Sequence, residues 1–463
     1  MFGTSGIRGP VGTEVTASLA LSVGRAVASD GYDRVVVGRD VRKSGAVLTD
    51  ALTAGLRECG ADVLEAGVAS TPTVARAVPR TDADAGIVVT ASHNPAPDNG
   101  LKLWAASGKA FDPEQLEGIA ARLEAEEYDL QPWDGQGSSD PLPDATERHA
   151  AALREAVTVG DPPSVVVDVG NGTGGLTARV LSAIGCDVTT LNGQRDGAFP
   201  GRPSEPTRET LADLSALVAA TDAELGVAHD GDADRMLAVD ETGSFVPKDV
   251  LLALFAREAA SDGDTVAAPV GTSMAVDDAL ATVGASVTRT RVGDGFVADR
   301  AARPGVVFGG EPSGAWIWPD ETPCPDGPLA ACKLVELVAD RGPLSGLVGS
   351  VETYPIRRRS LEVADKAAVM ERVRDRVRER YDDVDVLDGV YVDADGGWFL
   401  LRASGTEPVV RVTAEARDTA RAEQLEADAV AVLEEAIEAC SEPERRSDRD
   451  GVRRTEPLAP DRC

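Results

Sequence analysis

Short apolar runs alternate with segments of helical periodicity along most of the chain. Residues 34–37 form a β-branched run, and residues 46–58 follow it with leucines at helical spacing. Residues 61–65 and 85–90 predict two further strands. Strands that alternate with helices at this interval indicate βαβ units and a mostly parallel sheet. The predicted fold class is therefore α/β.

Changes in this pattern divide the chain into four predicted domains. A stretch rich in Gly, Pro, Asp and Ser, residues 128–144, predicts the first boundary, and new strand–helix units begin near Ser164 and Asp264. Farther along, two charged amphipathic helices flank several strand-like runs, which is typical of a small α+β domain. The predicted ranges are 1–150, 151–247 and 248–351 for three α/β domains, 352–440 for the α+β domain, and 441–463 for a disordered tail.

Composition narrows the classes of function. The 463 residues carry 46 Lys and Arg against 78 Asp and Glu, a formal net charge of −32 at pH 7. This charge argues against nucleic acid or an anionic membrane as the main partner, because both favour basic residues. Six lysines and 4% aromatic residues are typical of proteins adapted to high salt, and an ordinary acidic protein is the alternative. The hydrophobic fraction of 43% excludes wholesale disorder.

The cysteines and the first residues of the chain indicate the compartment in which we expect the protein. The six cysteines are scattered without a CxxC pair, which favours a reducing compartment over a disulfide framework or a zinc site. The chain opens without the charged and apolar regions of a signal peptide, and no apolar run approaches the roughly 18 residues of a spanning helix. We therefore expect a cytoplasmic protein.

The loop after residues 85–90 carries the first candidate for chemistry. Its sequence, TASHNP, places Ser92 at the carboxyl end of a predicted parallel strand, where open α/β sheets bind ligands. His93 would orient this loop or donate a hydrogen bond, and an ordinary Asn-Pro turn is the alternative. Lys102 is one of only six lysines in an arginine-rich chain. Unlike arginine, it can be tuned to accept and release a proton.

A second segment, HDGDADR, places Asp230, Asp232 and Asp234 in one tight loop between two apolar runs that predict strands. Three carboxylates at one point repel one another unless a hard cation binds there, and oxygen ligands suit Mg²⁺. An EF-hand is one alternative, but Arg235 stands where that loop needs glycine, and strands rather than helices flank it. A solvated acidic turn is the other alternative.

Two glycine-rich segments nearer the C-terminus suit a sugar and a phosphate. In GGEPSG, the Glu311 carboxylate and the Ser313 hydroxyl are suited to hold sugar hydroxyls. The segment RASGTEP and the arginine after it offer guanidinium, hydroxyl and backbone N–H donors to an anion. This predicted phosphate cradle consists of Arg402, Ser404, Gly405, Thr406 and Arg411. Ordinary turns are the alternative for both segments.

Residues 170–175 match the G-x-G-x-x-G pattern directly after a predicted strand, as in dinucleotide-binding folds. However, Asn192 stands where an acidic ribose-binding residue is expected. An NAD-dependent oxidoreductase is therefore a remote alternative.

Taken in order, these segments resemble the α-D-phosphohexomutase family over about residues 2–440. The matching segments are FGTSGIRG, VGRDVRKSG, TASHNP, DGDADR, VGDG, GEPSG and RASGTEP. The resemblance implies a heart-like arrangement of four domains around a central cleft. Three would be related α/β domains, and the fourth would be a C-terminal α+β domain that binds phosphate and closes over the cleft.

The resemblance also implies a reaction and its residues. Ser92 would be a phosphoserine that exchanges its phosphoryl group with the sugar through a 1,6-bisphosphate, which also serves as activator. One Mg²⁺ per active site would be held by Asp230, Asp232, Asp234 and an oxygen of that phosphoserine. The residues implied in catalysis are Arg8, His93 and Lys102. Those implied in substrate binding are Arg235, Gly293, Asp294, Glu311, Ser313, Arg402, Ser404, Gly405, Thr406 and Arg411.

Two departures from the family pattern bear on which sugar the protein prefers, more than on the type of reaction. Ala315 stands where a His often follows Ser-Gly, and Gly295 stands where a basic residue often follows Val-Gly-Asp. The stretch after GEPSG is most similar to an archaeal branch that converts glucosamine 6-phosphate to glucosamine 1-phosphate. Phosphomannomutase or phosphoglucomutase activity is the alternative. A binding protein without activity would lack Ser92 or the three aspartates. The implied partners are small sugar phosphates, and a monomer and a dimer are both compatible with the sequence.

Overall fold

A computed structural model describes residues 6–405 and 408–441 of the chain. It divides into two compact units, with the division between Tyr354 and Pro355. None of the helices in the described ranges is long and apolar enough to cross a membrane. Apart from its first residue, the predicted tail at 441–463 lies outside the described residues.

The first unit begins with a six-stranded sheet. Its elements are β1 (Ile7–Pro10), α1 (Ala17–Ser29), β2 (Arg34–Arg39), α2 (Gly45–Glu58), β3 (Asp62–Val68), α3 (Thr71–Arg80), β4 (Ala85–Val89), β5 (Asp98–Ala105), α4 (Pro113–Ala125), β6 (Ser139–Pro141) and α5 (Ala145–Glu155). The strand order is β1-β5-β4-β2-β3-β6, with β5 antiparallel to both of its neighbours. Val35 and Val37 pack in one core with α1 and α2, whereas Val36 packs against α3 on the opposite face.

Two four-stranded sheets follow in the same unit. Their elements are β7 (Ser164–Asp168), α6 (Gly175–Ala183), β8 (Asp187–Leu191), α7 (Ala212–Ala219), β9 (Leu225–His229), β10 (Met236–Asp240), α8 (Lys248–Ala259), β11 (Thr265–Pro269), α9 (Met274–Ala281), β12 (Ser286–Thr290), α10 (Asp294–Ala301), β13 (Val306–Glu311), β14 (Ala315–Ile317), α11 (Gly327–Arg341) and α12 (Leu344–Gly349). The strand orders are β10-β9-β7-β8 and β12-β11-β13-β14. Each sheet is parallel except for one antiparallel edge strand, β10 or β14. One continuous apolar core serves both sheets.

The second unit is an antiparallel sheet packed against two helices. Its elements are β15 (Ile356–Glu362), α13 (Lys366–Arg380), β16 (Val384–Asp385), β17 (Val390–Ala394), β18 (Gly397–Ala403), β19 (Val409–Ala416) and α14 (Thr419–Ser441). The strand order is β15-β19-β18-β17-β16. Phe399 of β18 shares a buried core with Val373 of α13 and Leu433 of α14.

The predicted α/β class with three α/β sheets and a C-terminal α+β unit is confirmed. Each sheet lies within one of the four predicted domain ranges. The limits themselves stay predictions, and α5 runs across the one at residue 150.

The strand β5 was not predicted. It is buried along most of its length between β1 and β4, so its sequence lacks the alternation of a half-exposed strand. This strand carries Lys102 back beside the end of β4, because Lys102 pairs in register with Val88.

Candidate active site

The candidate site lies in the first unit, where loops from its three sheets meet. The first is the loop after β4, which contains Ser92. The second is the turn between β9 and β10 at residues 230–234, which we call the metal loop. The third group consists of the start of α10 and the turn between β13 and β14.

The Ser92 loop is held by a buried arginine. The Arg42 side chain is fully buried and donates to the backbone carbonyl oxygens of four loop residues at 2.6–2.8 Å: Ser92, Asn94, Pro95 and Asp98. Its Nε donates to Asp40, which also accepts from Thr90 Oγ1 at 2.8 Å. Arg42 therefore fixes the backbone that presents Ser92, a role that its sequence context did not reveal.

Ser92 is buried and points at the metal loop. Its φ of 49° is in the left-handed region, which is costly for a non-glycine residue and persists only where the surroundings enforce it. The Ser92 Oγ donates a hydrogen bond to Asp230 Oδ2 at 2.6 Å. The predicted nucleophile and the predicted acidic cluster are therefore in direct contact, although 138 residues separate them in sequence.

The three aspartates of the metal loop are all buried, and their nearest oxygens lie within 4.8 Å of one another. Asp232 Oδ1 and Asp234 Oδ1 are buried and have no hydrogen-bond partner among the described residues. Buried carboxylate oxygens without partners are unfavourable unless a cation binds them. Closely spaced oxygen ligands, two of them unpaired, fit a hard divalent cation such as Mg²⁺.

The charged groups of the acidic cluster change one another's pKa values. Burial first, and then the carboxylates of Asp234 and Asp232, raise the pKa of Asp230 well above its ordinary value. Burial acts in the same direction on Asp232, but the ammonium group of Lys102 outweighs it and lowers that pKa. The cluster therefore favours a proton on Asp230 over one on Asp232.

Lys102 forms buried ion pairs with two of the aspartates. Its Nζ donates to Asp232 Oδ2 at 2.8 Å and to Asp234 Oδ2. Burial opposes the charged form, but the two carboxylates outweigh burial and raise the pKa of Lys102. Lys102 is therefore protonated in this state, which suits a role as a proton donor or as the partner of a negatively charged group.

Arg8 and His93 are close to the same cluster. Arg8 lies on β1 opposite Gly100, and its buried Nε has no partner in the described part of the chain. The Nδ1 of His93 is 3.4 Å from Ser92 Oγ. Burial, followed by the positive charges of Arg235 and Arg8, lowers the pKa of His93 to about 2. The imidazole is therefore neutral.

The third sheet contributes Glu311 at the end of β13. Its carboxylate accepts from the backbone N–H of Gly293 at 2.9 Å and from Ser313 Oγ at 2.6 Å. Burial raises the pKa of Glu311, and the nearby Asp294 acts in the same direction. The GEPSG turn and the VGDG segment, both implied in substrate binding, are therefore joined by a hydrogen bond.

Arg235 connects these segments to the metal loop. Its backbone bridges to Ala315, and its guanidinium pKa is raised by Asp230 and Asp234 despite burial. Ala315 and the following Trp316 are buried, and Trp316 Nε1 donates to the Met236 carbonyl at 2.8 Å. At this turn, the position of the family's usual His is occupied by a packed strand residue.

The predicted phosphate cradle lies in the second unit. Arg402 of β18 is directly opposite Arg411 of β19, and Arg402 Nη1 lies 4.0 Å from Asp388 Oδ2. Like charges that face each other on a sheet repel, so a bound anion is favourable beside them. Lys366 Nζ, absent from the sequence prediction, donates to the Ser404 carbonyl at 2.6 Å and adds a third positive charge. Gly405 is exposed, and Thr406 lies outside the described residues.

The glycine-rich turn at residues 170–175 packs against the metal loop. A Cβ on Gly172 would lie 2.5 Å from the carbonyl oxygen of Gly231, and one on Gly174 would lie 2.7 Å from the His229 ring. Thr173 also donates its N–H to Gly231. These glycines therefore allow close packing of two loops, a role that requires no dinucleotide.

Four domain models of the family described as phosphoglucomutase/phosphomannomutase match the chain. The α/β/α domains I, II and III match residues 1–129, 147–243 and 247–354, and the C-terminal domain matches residues 360–432.

Individual proteins are similar over nearly the whole chain. A probable phosphoglucosamine mutase of Methanopyrus kandleri is 44% identical, covering 94% of this chain and 98% of that protein. One of Methanothermobacter thermautotrophicus is 43% identical with the same coverage. The crystal structure of a phosphoglucomutase/phosphomannomutase family protein from Burkholderia thailandensis is 30% identical, with a TM-score of 0.85, covering 94% of this chain and 98% of that one. With its fold, its acidic loop and its serine in contact with that loop, this chain belongs to the α-D-phosphohexomutase family.

Proposed function

We propose that this phosphohexomutase interconverts glucosamine 6-phosphate and glucosamine 1-phosphate, with Ser92 as the carrier of the phosphoryl group. The observation that carries the proposal is the 2.6 Å contact between Ser92 Oγ and Asp230 within a buried cluster of three carboxylates. The sugar is proposed from the similarity to relatives named probable phosphoglucosamine mutases.

In the proposed reaction the phosphoryl group leaves phosphorylated Ser92 for the C1 hydroxyl of the 6-phosphate. The bond from phosphorus to Ser92 Oγ breaks, a bond to the sugar oxygen forms, and the proton of that hydroxyl balances the one that Oγ takes up. The resulting 1,6-bisphosphate turns round and returns its other phosphoryl group to Ser92. Lys102, protonated and close to the cluster, is the proposed proton carrier.

Asp230, Asp232, Asp234 and an oxygen on Ser92 would hold the Mg²⁺. When bound, this ion neutralises charge on the transferring phosphoryl group. Cation ligation by Asp232 and Asp234 would weaken the two ion pairs of Lys102, so Lys102 would give up its proton more readily. Arg8, with its unpaired buried Nε, is placed to pair with a phosphoryl oxygen.

The remaining proposed contacts orient the sugar and its non-reacting phosphate. Glu311 and Ser313 would hold sugar hydroxyls, with Gly293, Asp294 and Arg235 beside them. The second unit would hold the distal phosphate through the paired arginines at Arg402 and Arg411. The rest of that cradle is Ser404, Gly405 and Thr406. Neutral His93 would orient Ser92 by a hydrogen bond.

A coupled assay of glucosamine, glucose and mannose 6-phosphates tests the proposal. Each substrate is supplied in high salt with Mg²⁺ and a trace of its 1,6-bisphosphate. We expect the highest kcat/KM with glucosamine 6-phosphate. A preference for mannose or glucose 6-phosphate would assign the alternative phosphomannomutase or phosphoglucomutase activity, and no turnover of any of the three would refute the proposal.

We also propose that the protein is a cytoplasmic phosphoprotein adapted to high salt. The five cysteines in the described part of the chain are free thiols, and the net charge of −32 requires screening. The temperature of unfolding should rise between dilute buffer and molar KCl. An unchanged value would contradict the salt adaptation, and an intact mass without a phosphate on any fraction of the protein would contradict the phosphoserine.

A further inference from the structure

A buried polar cluster lies behind the metal loop and takes no part in the proposed chemistry. It joins α3 of the first sheet, α5, and the start of α11 beyond the third sheet. Its members are Thr73, Arg76, His149 and Asp326, and we call these four residues the brace. All four are buried. We infer that the brace positions the metal loop for cation binding, an inference that rests on the proposed function.

Asp326 is the centre of the brace. Its Oδ2 accepts from Arg76 Nε at 2.7 Å and lies 3.0 Å from His149 Nε2, while its Oδ1 accepts the N–H of Leu329 and so caps α11. Burial opposes the charged form, but His149 and Arg76 outweigh burial and lower the pKa of Asp326. Asp326 is therefore an ionised carboxylate that accepts from both of its neighbours.

The hydrogen bonds of the brace have one consistent direction. Because Asp326 only accepts, the Nε2 of His149 carries the proton, and its Nδ1 accepts from Thr73 Oγ1 at 2.8 Å. Thr73 Oγ1 in turn accepts from Ser70 Oγ at 2.7 Å, and Ser70 caps the N-terminus of α3. A continuous chain of hydrogen bonds therefore links the N-termini of α3 and α11.

Both of these helix ends contact the metal loop directly. At α3, Thr71 donates its N–H to the Asp232 carbonyl at 2.9 Å and its hydroxyl to Asp232 Oδ2 at 2.5 Å. At α11, Gly327 donates its N–H to the Ala233 carbonyl at 3.3 Å. A Cβ on Gly327 would lie only 2.5 Å from the Arg235 carbonyl oxygen. The helix ends that the brace joins are thus the ones that clamp the metal loop.

The loop needs such support because of its own chemistry. Its three carboxylates repel one another, and Ala233 within it has a φ of 56°, which is costly for alanine. A loop of this kind relaxes when its surroundings do not hold it. Groups beyond the direct ligands commonly account for 10- to 100-fold in metal affinity. The brace supplies this support from two different domains.

Direct Mg²⁺ binding tests the inference without relying on turnover. The double variant Arg76→Met/Asp326→Asn removes both charges together, so that no buried charge is left alone, and Asn keeps the cap of α11. We expect its dissociation constant for Mg²⁺, measured by titration calorimetry, to rise tenfold or more. Competition with Mn²⁺, followed by electron paramagnetic resonance, should show the same loss. The single variant Arg76→Lys keeps the charge pair and should therefore retain part of the Mg²⁺ affinity that the double variant loses.

Lys109→Met is the matched control. Lys109 and Asp299 also form an ion pair between the first and third domains, at 2.5 Å, but this pair is partly exposed, and neither residue has a hydrogen bond to the metal loop in the part of the chain that the structure describes. This variant should bind Mg²⁺ as the wild type does. If the double variant fails to fold, Gly327→Ala, which alters the clamp by one methyl group, replaces it and should weaken Mg²⁺ binding likewise.

Each outcome separates the inference from the proposed function. A folded double variant or Gly327→Ala variant with wild-type Mg²⁺ affinity would overturn the positioning role, and so would an equal loss in Lys109→Met. A wild-type protein that binds Mg²⁺ but turns over no hexose phosphate would instead overturn the proposed function.

Discussion

Replacing Arg42 by Lys tests how the Ser92 loop is held. All five N–H groups of the Arg42 guanidinium have acceptors, namely Asp40 and the carbonyl oxygens of Ser92, Asn94, Pro95 and Asp98. A lysine has three donors at a single point, so at least two of the five acceptors lose their donor. The carbonyl of Ser92 keeps a hydrogen bond from Ser204 Oγ at 2.7 Å. Asp40 likewise keeps one from Thr90 Oγ1, and the Pro95 carbonyl keeps one from the Asp98 N–H. The loss therefore falls mainly on the carbonyls of Asn94 and Asp98.

The expected magnitude follows from the number of lost hydrogen bonds. The affected carbonyls belong to half-buried residues, so each lost hydrogen bond costs about 0.5–1.5 kcal/mol, and two of them lower the free energy of unfolding by roughly 1–3 kcal/mol. A displaced Ser92 also reacts more slowly, since a misplacement of about 1 Å costs up to about 100-fold in rate. The KM should change little, because Arg42 contacts none of the proposed substrate-binding residues.

Urea unfolding and the coupled assay at saturating Mg²⁺ measure both effects. Arg39→Lys is the matched control, since Arg39 ends β2, just before the loop that carries Arg42, and its Nη1 donates to the Asp40 carbonyl at 3.3 Å. That variant should resemble the wild type. An Arg42→Lys protein with the urea midpoint and kcat of the wild type would refute the assignment of Arg42 as the support of this loop.

Four further predictions address the other parts of the site. Ser92→Ala should abolish turnover and remove the covalent phosphate from the intact mass; more than a few per cent residual activity would contradict it. Asp232→Asn should weaken Mg²⁺ activation, whereas a solvated acidic turn predicts an unchanged metal titration. Arg411→Ala should raise KM and leave Mg²⁺ affinity unchanged, with partial recovery in Arg411→Lys; a normal KM would exclude Arg411 from the distal phosphate site. Burial lowers the pKa of His149 below its ordinary 6.5, so its contribution to stability is lost as pH falls below 6.5. His149→Gln should therefore flatten the fall of unfolding free energy with acid by up to about 1.4 kcal/mol per pH unit, and an equal slope in both proteins would refute the buried neutral state.

Much of the fold was predictable from the sequence because its signals are local. The β-branched run at residues 34–37 and the helical spacing at 46–58 correspond to β2 and α2 within a few residues. The metal loop was also recognisable, since three aspartates between two apolar runs are unusual in any context. Its flanking segments are the strands β9 and β10, as predicted, so the EF-hand alternative is wrong.

The features that could not be predicted from the sequence depend on contacts between residues that are far apart in the chain. Arg42 is one of many arginines in the chain, and only the folded backbone shows that its donors meet the Ser92 loop. The brace likewise cannot be recognised from the sequence, because Arg76 and Asp326 are 250 residues apart. Residues 170–175 illustrate the converse: their glycine pattern matched a dinucleotide fingerprint, which Asn192 had already made a remote alternative, and the glycines permit contact with Gly231.

The two helix ends that clamp the metal loop, at Thr71 and Gly327, are synthesised at different times. Their order has a consequence for how this enzyme matures. The three aspartates leave the ribosome long after Thr71 but almost a hundred residues before Gly327, so a nascent chain that already contains the acidic turn still lacks one of its two supports. Because domains fold in sequence during synthesis, the complete cation site forms only after the third domain is made. A gene split between the second and third domains should therefore give a first half that carries every proposed ligand but binds Mg²⁺ more weakly, and full affinity should return only when the halves reassociate.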